Sequence, residues 1–459
     1  MNPITIPNIT IPTIGIPTIG IPSVGFPSAS GGGLAWPAGL KESIKAIYDP
    51  ASQGMTNYDV IESYIEDFTT WNYLSSRGSA TVTTNKIIIT KSFGNTQNII
   101  EDNKSPYDDI KIYVTGISED NPLTINQYVD NKWVRLHTYT TDGIYIVKNR
   151  NLYVGFGTYT TDDCNITITQ LPTSILKDLS GNGNHAYLYG GKGKLNSGMG
   201  VYQIDFTSYS KTSVVADVSH NTVKVVPAAN NYLFVRYATT EMPAYTVNVQ
   251  NLGNNVLTYQ YATENGRREI TLTEGINEIP ESIKAENPYQ VGFYVSAGTG
   301  EITITQIPDY PNQLCYDGSM YAVCYGFPIL EDYTVMADRT WFDIRSVSCF
   351  IGKRNRSGDN LGAFEFEFRA NQALSFGRTN SIIFADSGIV YQTKNSYNGI
   401  GIESGLLDDT DVLIIGAAQQ NINNKPQDIY IGCHGKIIIA DRSFTEDEIT
   451  WLKDNWGKI

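Results

Sequence analysis

Charged side chains are scarce in this 459-residue chain: Asp, Glu, Lys and Arg make up 17%, against about 25% in an ordinary soluble domain. Positive charge is scarcer still. Lys and Arg number 33 against 47 Asp and Glu, a net charge of −14, and a chain of that sign repels phosphate backbones, so no nucleic-acid partner is expected. No stretch approaches the ~18 consecutive apolar residues of a membrane span. The N-terminus lacks a basic leader and Pro interrupts its apolar stretch, so neither a membrane span nor a secretory signal is expected. The five cysteines (Cys164, Cys315, Cys324, Cys349, Cys433) are odd in number and form no C-x-x-C pair. They read as small buried apolar residues rather than a disulfide framework or a metal site. The four histidines (His137, His185, His220, His434) stand far apart, none at metal-ligand spacing from another. G-x-S-x-G, H-E-x-x-H, a P-loop and a helix-opening G-x-G-x-x-G are all missing, so nucleophilic and nucleotide chemistry lose support. No cofactor and no metal are expected.

What fills the gap is 41 Gly, 30 Tyr and many Thr and Asn, the composition of an all-β protein with many turns. At about 150 residues per domain, this length suggests roughly three domains.

Residues 1–40 carry no charged side chain, and Pro7, Pro12, Pro17, Pro22 and Pro27 fall at regular five-residue spacing beside Ile and Phe. Pro fixes φ and lacks an amide donor, so neither a helix nor a central strand can form there. Residues 1–36 therefore read as an extended arm, β or polyproline-like, whose apolar strip needs a partner. That partner is either two further copies in a threefold stalk or a groove on another protein. A disordered tail is the competing reading, but such tails are usually poor in Ile and richer in charge. Ser28–Gly33 (SASGGG) reads as a hinge.

The strongest internal signal is a duplication. Asp67-Phe68-Thr69 recurs as Asp205-Phe206-Thr207, Gln127-Tyr128 as Gln260-Tyr261, and Gly155-Phe156 as Gly292-Phe293. The run ITITQLP from Ile166 returns as ITITQIP from Ile302. Order is kept and the offset stays near 136 residues, as small loop changes would leave it. Each copy alternates apolar and polar residues between Gly, Asn and Asp turns, which predicts an antiparallel sandwich of seven or eight strands. The copies are placed at 67–172 and 205–308.

The remaining pieces, 38–66, 173–204 and 309–459, are expected to join as one further β domain. AIYDPASQG (46–54), LKDLSGNGNHAYLYGG (176–191), LCYDGSMYAVC (314–324) and IIIADRSFTEDEI (437–449) resemble, in order, the motifs of the laminin-G-like, concanavalin A-type jelly roll. Its usual Asp-Asp-Tyr turn is here Ser319-Met320-Tyr321, which weakens any ligand or calcium role at that turn. The resemblance implies a jelly roll split by two sandwich insertions of carbohydrate-binding-module type. The whole arrangement also resembles virion fibre and tail proteins of crAss-like phages of Bacteroides. That likeness implies a non-enzymatic appendage on the virion surface, trimeric, with residues 1–36 docked to other virion proteins. The closing Thr445-Glu-Asp-Glu448 is a capping box for a short helix with Ile449, Leu452 and Trp456 on one face.

For binding, sugars stack on exposed rings, and Tyr128, Trp133, Tyr259 and Tyr261 lie near matching hairpins of the two copies, each readable as a ligand platform or as core. A polysaccharide ligand is the expectation. Purely structural decoration or adaptation on the particle is the alternative. A depolymerase is the second alternative, resting on Glu365 and Glu367, which alternate on one predicted strand and so share a face. That pair reads more simply as a solvated strand face, and no catalytic residue is assigned. Asp178, Asn182 and Asn184 could offer oxygens to calcium or simply form a turn, and Asp408–Asp411 reads as a solvated loop.

Overall fold

The computed structural model describes residues 34–55, 63–73, 78–92, 96–100, 109–147, 154–158, 163–191, 194–211, 215–227, 232–237, 241–284, 290–295, 298–343, 347–353, 364–369, 374–375, 381–382, 387–401, 410–418 and 429–459. The proline-spaced positions Pro7, Pro12, Pro17, Pro22 and Pro27, the Ser28–Gly33 hinge, and Asp408 and Asp409 lie outside the described residues. The chain divides into two compact units. In the smaller, described over 34–41 and 446–459, the helix Glu446–Asp454 buries Ile449 and Leu452. Trp36 packs on Trp451 with ring centroids 5.1 Å apart. Trp456 falls just past the helix, in the 3₁₀ turn Trp456–Lys458.

Every named strand belongs to the other unit, Glu42–Thr445, which is all-β. Two sandwiches of equal topology lie within it. In the first, one five-stranded sheet runs Asn72–Tyr73, Thr96–Ile100, Val154–Thr158, Leu123–Val129, Lys132–Tyr139. Its partner sheet runs Gly78–Val82, Lys86–Ser92, Asp163–Gln170, Ile110–Thr115, Gly143–Val147. The second sandwich repeats both orders with strands drawn from Ser210–Lys211 through Ile302–Ile307. Each copy thus has two five-stranded sheets rather than seven or eight strands in all. Two-residue edge strands such as Asn72–Tyr73 are too short to leave an alternation signal in sequence.

Period-two patterning explains the cores. Ile87, Ile89, Ile110, Ile112, Val114, Ile166 and Ile168 are buried in the first copy; Val223, Val225, Val247, Val249, Ile302 and Ile304 are buried in the second. The repeated Asp-Phe-Thr opens each copy in the same way. Asp67 and Asp205 cap one-turn 3₁₀ helices by accepting from the N–H of Thr69 and Thr207, each at 2.9 Å. The buried Phe68 and Phe206 then meet Phe156 and Phe293 edge-on, at 6.1 and 6.0 Å.

Between and around the copies, chain from 44–48, 175–201 and 309–440 forms two facing sheets over one core. The larger, eight-stranded sheet centres on Ile431–Ala440, flanked by Asp309–Asp317 and Thr334–Trp341, with Ile44–Tyr48 also paired to it. The six-stranded sheet runs Ile175–Leu176, Ala186–Tyr189, Tyr321–Tyr325, Val412–Ile415, Val347–Lys353, Phe364–Arg369. Tyr48, Leu188, Tyr316, Phe350, Leu413, Ile437 and Ile439 meet in the shared core, the split jelly-roll arrangement of an all-β fold.

A tyrosine seam seats the first sandwich on the six-stranded sheet. Tyr113, from Ile110–Thr115, stacks on Tyr325 at 4.2 Å, and Tyr325 in turn bonds Tyr189 through their hydroxyls at 3.0 Å. Tyr189 lies parallel to Tyr321 at 5.4 Å. These four tyrosines therefore serve the fold.

Candidate functional site

The hairpin of the first sandwich brings two of the four candidate rings together. Asp130 and Asn131 both hold positive φ, 48° and 62°, the backbone of a type I′ two-residue turn. That turn sets Val129 against Lys132 and Tyr128 directly against Trp133. The two rings, both half-buried, sit 5.4 Å apart at 58°. Lys132–Tyr139 is the outermost strand of its sheet. The exposed Arg135 opposes Asn126 two positions along, on the face that carries the ring pair.

The second sandwich does not repeat this pair, and the register shows why. Tyr259 opposes Phe293 and Gln260 opposes Gly292, as Ile125 opposes Phe156 and Asn126 opposes Gly155. Gln260 is therefore the counterpart of Asn126, and the Gln-Tyr match between the copies is one residue out of register. A slip of one residue exchanges the two faces of a strand. Tyr128 stands opposite in face to Ile125, whereas Tyr261 shares the core face of Tyr259. Tyr259 itself is fully buried, edge-on to Phe293 at 5.0 Å and to Tyr245 at 6.2 Å. As a ligand platform Tyr259 is thus corrected to core: no sugar reaches it. Tyr261 leans on that core from its margin and lines a cleft of about 430 Å³ with Thr246, Glu278, Pro280 and Asp309.

The remaining polar candidates serve the fold. Asp178 accepts from the N–H of Ile47, Ser180 and Asn184 and from the Ser180 hydroxyl, all within 3.0 Å. The amides of Asn182 and Asn184 donate to the carbonyls of Ile44 and Lys45 at 2.9 and 2.8 Å. These bonds lace the Gly/Asn turn to the first strand of the jelly roll. His185 Nδ1 accepts from the N–H of Asp178, His220 pairs with Asp205 at 3.0 Å, and His137 stacks on Tyr139. His434 is buried against Tyr316. Among the described residues no three His, Cys, Asp or Glu side chains gather at metal-binding spacing. No helix there is long and apolar enough to cross a membrane. Glu365 and Glu367 occupy the edge strand Phe364–Arg369, opposite Gly352 and Cys349.

Sequence reasoning passed over Tyr310 and Phe342, whose rings meet at 5.3 Å although they stand far apart in the chain. The available signal was Pro308 and Pro311 bracketing Asp309-Tyr310, since proline within a strand is confined to edges and bulges.

No protein-family model matches the chain, and no curated protein matches it. Among solved structures, Trypanosoma rangeli sialidase in complex with sialic acid aligns at 10% identity over 86% of each chain, with a TM-score of 0.25. The same sialidase with the inhibitor DANA aligns at 11% identity over 81% of this chain and 83% of that one, TM-score 0.18. The CBM22-1–CBM22-2 tandem of Paenibacillus barcinonensis Xyn10C aligns at 10% identity over 55% of this chain and 98% of its own, TM-score 0.15. Superpositions this loose establish no shared fold.

Proposed function

We propose that this protein is a non-enzymatic, glycan-binding appendage protein of the virion fibre or tail type. The observation that carries the binding role is the Tyr128–Trp133 pair on the outermost hairpin of the first sandwich. Two adjoining, half-exposed rings on an edge hairpin offer a sugar both an apolar face and access, and Arg135 on the same face carries donors suited to its oxygens. Each such contact is weak, and display in several copies raises avidity without new contacts. The virion setting is supported by the sequence resemblance and by the uncharged, proline-spaced arm of residues 1–36, an apolar strip that wants a partner.

Binding of the full-length protein to an array of bacterial capsular and mucin glycans tests the reading. A specific signal lost in Trp133→Ala supports it. A blank array from folded protein would overturn it in favour of a purely structural decoration or adaptor role. For the arm, light scattering of the full chain is expected to return a trimer, and a monomer would sink the threefold stalk.

A further inference from the structure

The chain leaving the second sandwich re-enters the eight-stranded sheet through an irregular pairing. Met199 opposes Leu314 and Val201 opposes Asp309, so residues 310–313 bulge out opposite the single Gly200. Gly200 has φ +77°, and a Cβ there would lie 2.6 Å from Pro308, so only glycine admits the close approach. At the top of the bulge Tyr310 holds φ +51°, a conformation that aromatic residues rarely adopt. The strained backbone turns its ring onto Phe342, and the two remain 42% and 39% exposed. Phe342 is itself fixed by its N–H, which donates to the Ile431 carbonyl at 3.0 Å.

These rings form one wall of a cleft of about 600 Å³, within the size range of small-ligand sites. Several other lining groups are polar. Asp309 accepts from the Gln203 amide at 2.7 Å, and Asp317 accepts from the Ser197 hydroxyl at 2.6 Å, with Asn196 beside them. Asp309 also borders the cleft of Tyr261 and Glu278, so the two clefts adjoin along the junction of the second sandwich with the jelly roll. None of the described residues lining either cleft is Lys, Arg or His.

We infer that this junction is a binding cleft for an uncharged polysaccharide segment, with Tyr310 and Phe342 as its stacking platform and Asp309 and Asp317 as acceptors for sugar hydroxyls. The rings match the C–H face of a pyranose. The carboxylates, already held by Gln203 and Ser197, accept hydroxyl protons without reorganising. With acidic groups and no base among the described residues of its walls, the cleft repels uronate, sialyl and phosphoryl groups. It is separate from the Tyr128–Trp133 hairpin and does not depend on it.

Calorimetric titration of the full chain with mannohexaose, maltohexaose, xylohexaose and N-acetylchitohexaose, and with hexagalacturonate as the anionic probe, tests this. At least one neutral hexasaccharide is expected to bind saturably, and hexagalacturonate is not. Tyr310→Gly removes the ring at a backbone position that glycine favours, so its melting temperature should not fall. Its affinity should drop roughly tenfold, as should that of Phe342→Ala, from the lost stacking. Ile276→Ser, at an exposed site outside both clefts, should bind as the parent does. Asp309→Asn should improve tolerance of hexagalacturonate. Absence of binding by every neutral hexasaccharide at millimolar concentration, hexagalacturonate binding equal to the neutral probes, or unchanged affinity in a folded Tyr310→Gly would each overturn the inference.

Discussion

The carboxamide of Gln306 grips the backbone of Ile204 from both sides, across 102 residues of chain: its Oε1 accepts the Ile204 N–H at 3.0 Å and its Nε2 donates to the Ile204 carbonyl at 2.7 Å. Gln170 does the same for Glu66 in the first sandwich, at 3.0 and 2.8 Å. Both glutamines are buried, Gln306 1% and Gln170 0% exposed, and each ties the strand leaving a sandwich to the segment leading into it. The repeated Thr-Gln-x-Pro sequence is thus a clasp that lets a domain of this size sit inside another without fraying at its roots.

Removing a clasp leaves buried backbone N–H and C=O groups without partners, a loss of about 1–3 kcal/mol. Gln306→Ala is therefore expected to destabilise the second sandwich by that amount and Gln170→Ala the first. Hydrogen exchange should show the loss confined to the copy that carries the substitution. Exchange that rises equally in both copies would mean they do not open as separate units.

His434 carries a pH dependence whose sign follows from its bonds. The Gly435 carbonyl, 2.7 Å from Nδ1, can only accept, so Nδ1 bears the hydrogen and Nε2 accepts from the Tyr316 hydroxyl at 2.9 Å. That is the neutral ring, and burial lowers its pKa from 6.5 to about 4, against a smaller upward pull from the Gly435 carbonyl and Asp49. Between those values the unfolded chain binds the proton that the folded one refuses. Stability from this group is complete above pH 6.5 and declines as pH falls toward 4, by at most about 1.4 kcal/mol per pH unit. Denaturation midpoints across that range should fall less steeply in His434→Gln than in the parent.

Much of this architecture was legible in the sequence because it is written in period two and in repeated turn chemistry. Ile110, Ile112 and Val114, or Ile302 and Ile304, declare a half-buried strand by alternation alone. The recurrence of Asp67-Phe68-Thr69 at Asp205 declares a second copy. The candidate site was less legible, since register is a property of paired strands rather than of one. Tyr128 and Tyr261 follow the same Gln residue type in sequence yet sit on opposite faces, because the equivalence between the copies shifts by one residue. Tyr310 and Phe342 meet only after the chain has threaded two sheets, and no local pattern announces such a meeting.

None of the five cysteines forms a disulfide, and four are buried, with Cys315 directly opposite Cys433 on neighbouring strands. Burial pushes the Cys315 thiol well above its usual range, with a further push from Cys433, and raises Cys324 to about 12. Because the thiolate is the nucleophile, native protein at pH 8 should alkylate slowly with iodoacetamide, the half-buried Cys164 first, and completely only in denaturant. Rapid labelling of Cys315 in native protein would show that the strand Asp309–Asp317 opens on its own.

Tyr259 and Trp133 stood as equals in the sequence, and paired substitutions separate them. Tyr259 is fully enclosed by Tyr245, Phe293 and the aliphatic core of the second sandwich. Truncation to Ala opens a cavity in a packed interior, which for a large aromatic costs about 3–5 kcal/mol. Trp133 sits half-exposed on an outermost strand, so its truncation should cost under about 1 kcal/mol relative to the parent fold while removing a stacking surface. In urea titrations Tyr259→Ala should lower the midpoint sharply and Trp133→Ala barely. In glycan binding the order reverses, with Trp133→Ala losing the signal and any loss in Tyr259→Ala tracking its unfolded fraction. A Tyr259→Ala protein that is fully folded yet blind to glycan would place the site in the second sandwich, with Tyr259 at its centre rather than in its core.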